Sequence, residues 1–580
     1  MRLTAVAAAL LAGTASAGCS SVGGFFAPDD WSARGPMPSG PAPSLTAAQG
    51  EFPAFRSAPL TPPALLSHIS TLSSDQFGGR APGTAGEDLT ISYISRAFAA
   101  LGLQPGVPGR DGVAPSYLQE VPIVTATLIN QPVLQVGADA FQYGADFVAW
   151  TRRGQEVLEL RDAELVFVGY GVVSPELGWN DYAGADLTGK IAVILVNDPD
   201  FETGDNRGFS GRAMTYFGRW TYKIEEAARH GAAGVLLIHE DAAAGYGWPV
   251  VVSSWSGPQH DLVRADGGAS NVAVEGWIQN AVARRLFAQA GLDFDAEKRR
   301  AQRPDFSAVP LNQTASIDLV TQFTMTMSHN VVGVLPGAER PQETVVYGAH
   351  WDHLGQCPPV NGDDICNGAQ DNASGVAGLI ELARRFASTS ARPQRSVAFI
   401  AFTAEESGLL GSAYYAEHPI FAPADTAAMI NMDGLSNRGI AREIAVVGYG
   451  QTDLQDLLVT AATAQGRTVA REPYPERGSY YRSDQLNFAR IGVPVLYTSP
   501  GLDLFDGGVE RGRALASTFL TERYHKPDDE LTSDWDMSGA MRDLQLLYTV
   551  GRQVAEGSTW PQWSPNSEFR AIREASRRDR

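Results

Sequence analysis

Two hydrophobic periods divide the chain. Between residues 88 and 103 the apolar positions are Leu89, Tyr93, Ile94, Ala97, Phe98 and Leu101. This three-and-four spacing predicts an amphipathic helix, stopped by Gly102 and Pro105. Continuous apolar runs at 164–171 and 190–196 follow, then a helical pattern through 222–230 and another run at 233–238. These predict a separate β-sandwich-like module with one or two helices, at 155–305. Beyond Leu311 short apolar runs at 344–349, 396–403, 427–432, 443–448 and 493–498 alternate with helical patterns. One such helix starts after Asn372, with Val376, Leu379, Ile380, Ala383 and Phe386 on one face. Short buried strands alternating with helices imply a largely parallel sheet covered on both sides. The fold class expected is therefore α/β, a mixed, mostly parallel sheet sandwiched by helices, with an inserted β-rich module. No internal repeat is visible.

The first 18 residues break both periods. Arg2, an apolar stretch from Leu3 to Ala12 and the small residues Ala15-Ser16-Ala17 read as an export signal. Ser16-Ala17-Gly18-Cys19 also resembles a bacterial lipobox, which would make Cys19 a lipid anchor; simple secretion is the other reading. The location expected is a periplasm-facing lipoprotein, or a periplasmic or secreted protein. Residues 19–60 are dense in Pro, Gly, Ser and Ala and read as a tether. The rest divides into 61–154, the first part of the main domain; 155–305, the insert; 306–560, the main domain proper; and 561–580, a polar C-terminal tail. The chain's 580 residues suit such a multi-domain plan. Forty-five basic against 65 acidic residues, a formal charge of −20, argue against nucleic acid as a partner.

Candidate chemistry gathers at strand ends. The 344–349 run leads into His350-Trp351-Asp352, the 396–403 run into Glu405-Glu406, and the 427–432 run into Asp433-Gly434, while Asp371-Asn372 precede a helix. Sites in open α/β sheets form outside the carboxyl ends of strands. A mixed histidine and carboxylate set suits zinc. The adjacent glutamates allow one to bind metal while the other stays free as a base. No Gly-x-Ser-x-Gly elbow supports a serine hydrolase.

The ordered motifs resemble metallopeptidase family 28, which includes co-catalytic zinc aminopeptidases and glutamate carboxypeptidases. They are His350-x-Asp352, Asp371-Asn372-Ala373-Ser374-Gly375, Glu405-Glu406-Ser407-Gly408, Asn431-Met432-Asp433-Gly434 and Tyr524-His525. Gly78-Gly79-Arg80-Ala81-Pro82-Gly83-Thr84 and 330–337 extend the likeness upstream. The middle module resembles the protease-associated domain that interrupts many members.

The resemblance implies two zinc ions about 3.5 Å apart. Asp371 would bridge them, with His350 and Asp433 completing one site and Glu406 and His525 the other. Asp352 would hold the ring of His350. Glu405 would be the general base and Tyr524 a stabiliser of the oxyanion, with Tyr480 and Tyr481 as weaker competitors. Arg482 could contact substrate or form an ordinary ion pair. Gln485 stands where relatives often carry His, and His353 is set aside as a ligand. Cys357 and Cys366 flank the loop between His350 and Asp371; in an oxidising compartment they are expected as a disulfide, with free thiols as the alternative. The function expected is an exported di-zinc aminopeptidase acting on peptides. A carboxypeptidase acting on acidic dipeptides and an inactive, receptor-like binding protein are the other readings.

Overall fold

The structure is a computed structural model that describes residues 59–109 and 112–578. The expected leader, Cys19 and the tether as far as residue 58 lie outside these residues. Among the described residues no helix is long and apolar enough to cross a membrane.

The main domain is built on one mixed sheet. Four neighbouring strands run parallel: Val495–Pro500, Thr426–Asn431, Arg340–His350 and Arg395–Phe402. On the far side of Arg395–Phe402 lies the antiparallel strand Val309–Leu335, and beyond it Leu118–Leu128. Alternation along Arg395–Phe402 shows why the sheet sits in the middle. Val397, Phe399 and Ala401 enter one apolar cluster, while Ala398, Ile400 and Phe402 enter another on the opposite face. A strand apolar at every position buries both faces, as a parallel sheet between two helical layers requires. The helices Pro62–Leu72, Ala85–Ala100, Ser374–Ala387 and Ser538–Glu556 supply the first layer. The expected α/β architecture is present, and the expected helix at 88–103 forms as Ala85–Ala100.

The inserted module departs from the expectation in two ways. Its strands Val157–Phe167, Ile191–Leu195, Gly234–His239 and Val274–Gln279 pair in parallel, so it is not a sandwich of antiparallel sheets. The helix Trp220–Arg229 explains this, because parallel neighbours need a crossover connection. Its boundaries also lie outside 155–305. Val133–Val136 and Phe147–Trp150 join the same sheet, and Leu134, Phe147, Leu311 and Leu319 sit in its core. The strand Val309–Leu335 serves both sheets: residues 309–320 pair with the insert, and 321–335 with the main domain.

The C-terminal segment is not a free tail. Trp563, Phe569 and Arg573 are buried; the Trp563 indole donates to Gly492 O, and the Arg573 guanidinium to Pro423 O and Thr426 O. Its charged residues made it read as polar, and three inward side chains decide otherwise.

Candidate metal centre and active site

His350, Glu405, Glu406 and Asp433 stand at or just beyond a strand's carboxyl end, whereas Asp371 lies in the helical turn Ala369–Ala373 and His525 follows the turn Phe519–Arg523. His350 ends its strand fully buried. Its Nε2 lies 3.3 Å from Asp433 Oδ1, 3.4 Å from Asp371 Oδ1 and 4.0 Å from Glu405 Oε2. Asp371 turns its other oxygen, Oδ2, to His525 Nε2 at 3.4 Å. Glu406 Oε2 is 3.1 Å from the same His525 nitrogen, and Glu406 Oε1 is 2.7 Å from His353 Nδ1. The donor atoms form two groups, His350–Asp371–Asp433 and His353–Asp371–Glu406, with Asp371 in both. His525 flanks the second group through Asp371 and Glu406. His353, which the sequence reading set aside, is therefore inside this centre. Spacing of three residues from His350 gave no sign that the chain bends enough to bring both rings to one place.

The electrostatics split neighbouring residues. Burial pushes Glu405 well above the ordinary carboxylate range; His350 opposes this, and the negative Asp433, Glu406 and Asp484 add to it. Glu406 goes the other way, to about 2: burial and Asp371 act upward, but His353 and His525 outweigh them. Burial alone would lower His525, yet Asp371 and Glu406 raise it to about 10. An imidazole with a raised pKa among carboxylates is one held by negative charge, the setting that a cation would occupy. Two buried imidazole nitrogens, His353 Nε2 and His525 Nε2, have no hydrogen-bond partner. Imidazole nitrogens and carboxylate oxygens without thiolates are a donor set that fits zinc.

Supporting residues fix these groups. Asp352 faces His350 as expected, its backbone carbonyl 3.2 Å and its Oδ1 3.7 Å from the ring's Nδ1. Its two carboxylate oxygens accept the backbone N–H groups of Glu405 and Glu406 at 3.0 and 3.2 Å. The glutamate main chain is thereby clamped and its two side chains diverge. Ala404, just before them, has φ +51°, a left-handed conformation that non-glycine residues seldom adopt. Asp529 accepts from the backbone N–H groups of Gln370 and Asp371. Arg80 is buried and donates to the carbonyls of Leu72, Trp351, Asn367 and Gly368, tying together both ends of the loop that carries His350 and Asp371. Gly79 makes this approach possible: a Cβ there would lie 2.6 Å from Gly355 O and Cys366 O. The loop itself is closed by the Cys357–Cys366 disulfide.

The remaining candidates separate. Tyr524 stacks on His525 with ring centroids 3.8 Å apart, and both line a cavity of about 1280 Å³ with Asp371, Glu405, Glu406 and Asp433. Arg482 is exposed on that cavity's wall. Tyr481 also reaches the cavity, but its hydroxyl donates to Glu568. Tyr480 does not line it; its ring packs against Gly448 in the apolar cluster behind the sheet. Gln485 is buried, accepts from Asn431 Nδ2 at 2.7 Å and donates to Tyr480 O, so it holds the strand leading to Asp433.

Residues 330–549 match the model of peptidase family M28, a segment that contains both donor groups. This segment carries the M28 match. A probable zinc metalloprotease of Pyrenophora teres f. teres (strain 0-1) is 40% identical over 107 residues, 18% of this chain and 22% of the relative. An aminopeptidase of Pseudomonas aeruginosa (strain UCBPP-PA14) is 24% identical over 353 residues, 61% of this chain and 53% of the relative. The chain thus spans about half or less of the length of these curated relatives. A solved structure, an aminopeptidase from Aneurinibacillus sp. strain AM-1, superposes with a TM-score of 0.47 at 20% identity, over 86% of this chain and 95% of that one. Two residues that support this centre were left without a role by the sequence. Arg80 stood in the quoted upstream motif, and Asp529 follows His525 by four positions. Each acts through backbone atoms, which leave no mark on residue spacing.

Proposed function

We propose that this chain is an aminopeptidase that uses two zinc ions. The observation that carries this reading is the pair of donor groups sharing Asp371, with Glu405 beside them and outside both. The ligands would be His350, Asp371 and Asp433 for one ion, and Asp371 and Glu406 with His525 or His353 for the other. When bound, zinc supplies a Lewis acid and lowers the pKa of water in the cleft. Glu405, buried and pushed toward proton affinity, is placed to take a proton from that water and return it to the leaving amine. The Tyr524 hydroxyl, fixed by the stack on His525, is placed to donate to the carbonyl oxygen as charge develops there. The surplus of carboxylates at this end of the cavity favours a substrate that presents a free ammonium group.

A second reading, a carboxypeptidase, draws on Arg482 and Arg219. Both line the cavity, and burial together with the charge of Arg482 lowers Arg219 to about 10. Such a pair would receive a substrate carboxylate. Chelation should abolish hydrolysis of an aminoacyl nitroanilide, and zinc should restore it; hydrolysis that survives full chelation defeats the metal reading. Cleavage of N-acetylated dipeptides in place of free ones would decide for the carboxypeptidase.

A further inference from the structure

The cavity that begins at the metal centre continues over the inserted module, where its lining includes Trp150, Arg152, Trp255, Asp261, Glu275 and Trp277. Glu275 faces Trp150 directly across an antiparallel pair of strands, and Trp277 follows two positions on, so all three side chains share one face of the sheet. Trp255 lies edge-on to both indoles, with ring centroids 6.2 Å away in each case. Arg152 lies between the two acids and pairs with both, and Arg264 Nη2 adds a contact of 3.4 Å to Asp261 Oδ1. The Arg152 Nε is 2.8 Å from Glu275 Oε1 and its Nη1 3.3 Å from Asp261 Oδ1.

Each acid gives Arg152 one oxygen and keeps the other. Glu275 Oε2, Asp261 Oδ2 and the indole nitrogens of Trp150 and Trp277 are buried without a hydrogen-bond partner. All four residues are more than nine-tenths buried. Buried polar groups are ordinarily bonded, so four such atoms along one cavity wall call for a ligand. Arg219 Nε, Arg264 Nε and Asn271 Nδ2, from residues of the same lining, are orphaned too, so donors and acceptors are both present, five and two. A simple ion would require a single sign, whereas a peptide main chain presents N–H and C=O groups in alternation. The volume points the same way: about 1280 Å³ exceeds the ~300–1000 Å³ of a site for one small molecule.

We infer that the inserted module forms a second binding subsite, continuous with the metal centre, for the main chain of an oligopeptide substrate. The inference rests on the peptidase reading and adds that substrate length is read by the insert. Hydrolysis of a hexapeptide and of an aminoacyl nitroanilide with the same first residue tests it on the full, zinc-loaded chain. Wild type should favour the hexapeptide at least tenfold in kcat/KM. Trp277→Phe, which removes an orphan N–H donor, and Asp261→Asn, which turns an orphan acceptor into a donor on the same skeleton, should cut that preference about tenfold, through KM. Equal rates on both substrates in wild type, or equal losses on both in the variants, would overturn the subsite while leaving the peptidase reading intact. Turnover of neither substrate by wild type would defeat the peptidase reading and the subsite with it.

Hydrogen exchange gives a readout independent of these variants. In the full-length Glu405→Gln protein with the hexapeptide added, amides of Phe147–Trp150 and Val274–Gln279 should gain protection. Protection confined to the loops that carry the metal ligands would overturn the inference.

Discussion

Glu405 and Glu406 are adjacent, identical in chemistry and opposite in behaviour. Asp352 holds both backbone N–H groups, so the side chains must leave in different directions. Glu406 meets two imidazoles and stays ionised, with its pKa at about 2. Glu405 meets three other acids and only one imidazole, and its proton affinity rises. Replacing Glu405 by Gln should therefore lower kcat by roughly 10²–10⁴-fold, while zinc content by atomic absorption stays near that of wild type. Glu406→Gln should lose zinc instead. The rings of His353 and His525 offer a sharper comparison, because both reach Glu406. Zinc titration of His353→Ala and His525→Ala tells which ring holds the second ion: its variant binds one ion fewer, and the other loses only affinity.

Elements carry the stability of this arrangement. Phe399, buried in the middle of Arg395–Phe402, stacks on Tyr347 of the neighbouring strand, the strand that ends at His350. Phe399→Ala should cost about 3–5 kcal/mol in a denaturant melt. The Cys357–Cys366 bridge closes a short loop, and removing it with a double Ala variant should cost ~3 kcal/mol by loop entropy alone. In the helix Ser538–Glu556, burial raises Asp543 to about 6 although Arg467 opposes the shift. A carboxyl whose folded pKa exceeds its unfolded value of ~3.9 stabilises the fold below the lower value and loses that contribution as pH rises through the higher. Between pH 4 and pH 6 the wild type should lose stability relative to Asp543→Asn; parallel melting curves across that window would refute the assignment.

At the scale of the whole molecule, the insert and the C-terminal segment hold each other. Glu568 accepts from the Tyr216 backbone N–H of the insert and from the Tyr481 hydroxyl of the main domain. Phe569 packs against Tyr216 as well. A chain ending at residue 560 should melt several degrees lower and show increased proteolysis near Tyr216. Unchanged melting would mean that the insert is held by its strands alone. The main domain's strands, its helical layers and the strand ends that carry acids and imidazoles were legible in the sequence, because they follow from local periodicity and from where apolar runs stop. His353, Asp529 and the backbone grip of Arg80 were not, since each depends on a loop folding back on another. The insert's parallel pairing and its true limits were hidden for a related reason: a strand pattern reports which face is apolar, not which neighbour it will choose. By itself the sequence determined the apolar runs that become strands, which of those runs end in acids and imidazoles, and the motifs that resemble family M28. Only the tertiary structure decided which of those groups meet, that the proton affinities of two adjacent glutamates diverge, and that residues of the insert with orphaned polar atoms share the cavity of the metal centre. Local pattern sets burial; through-space contact sets charge and proton affinity.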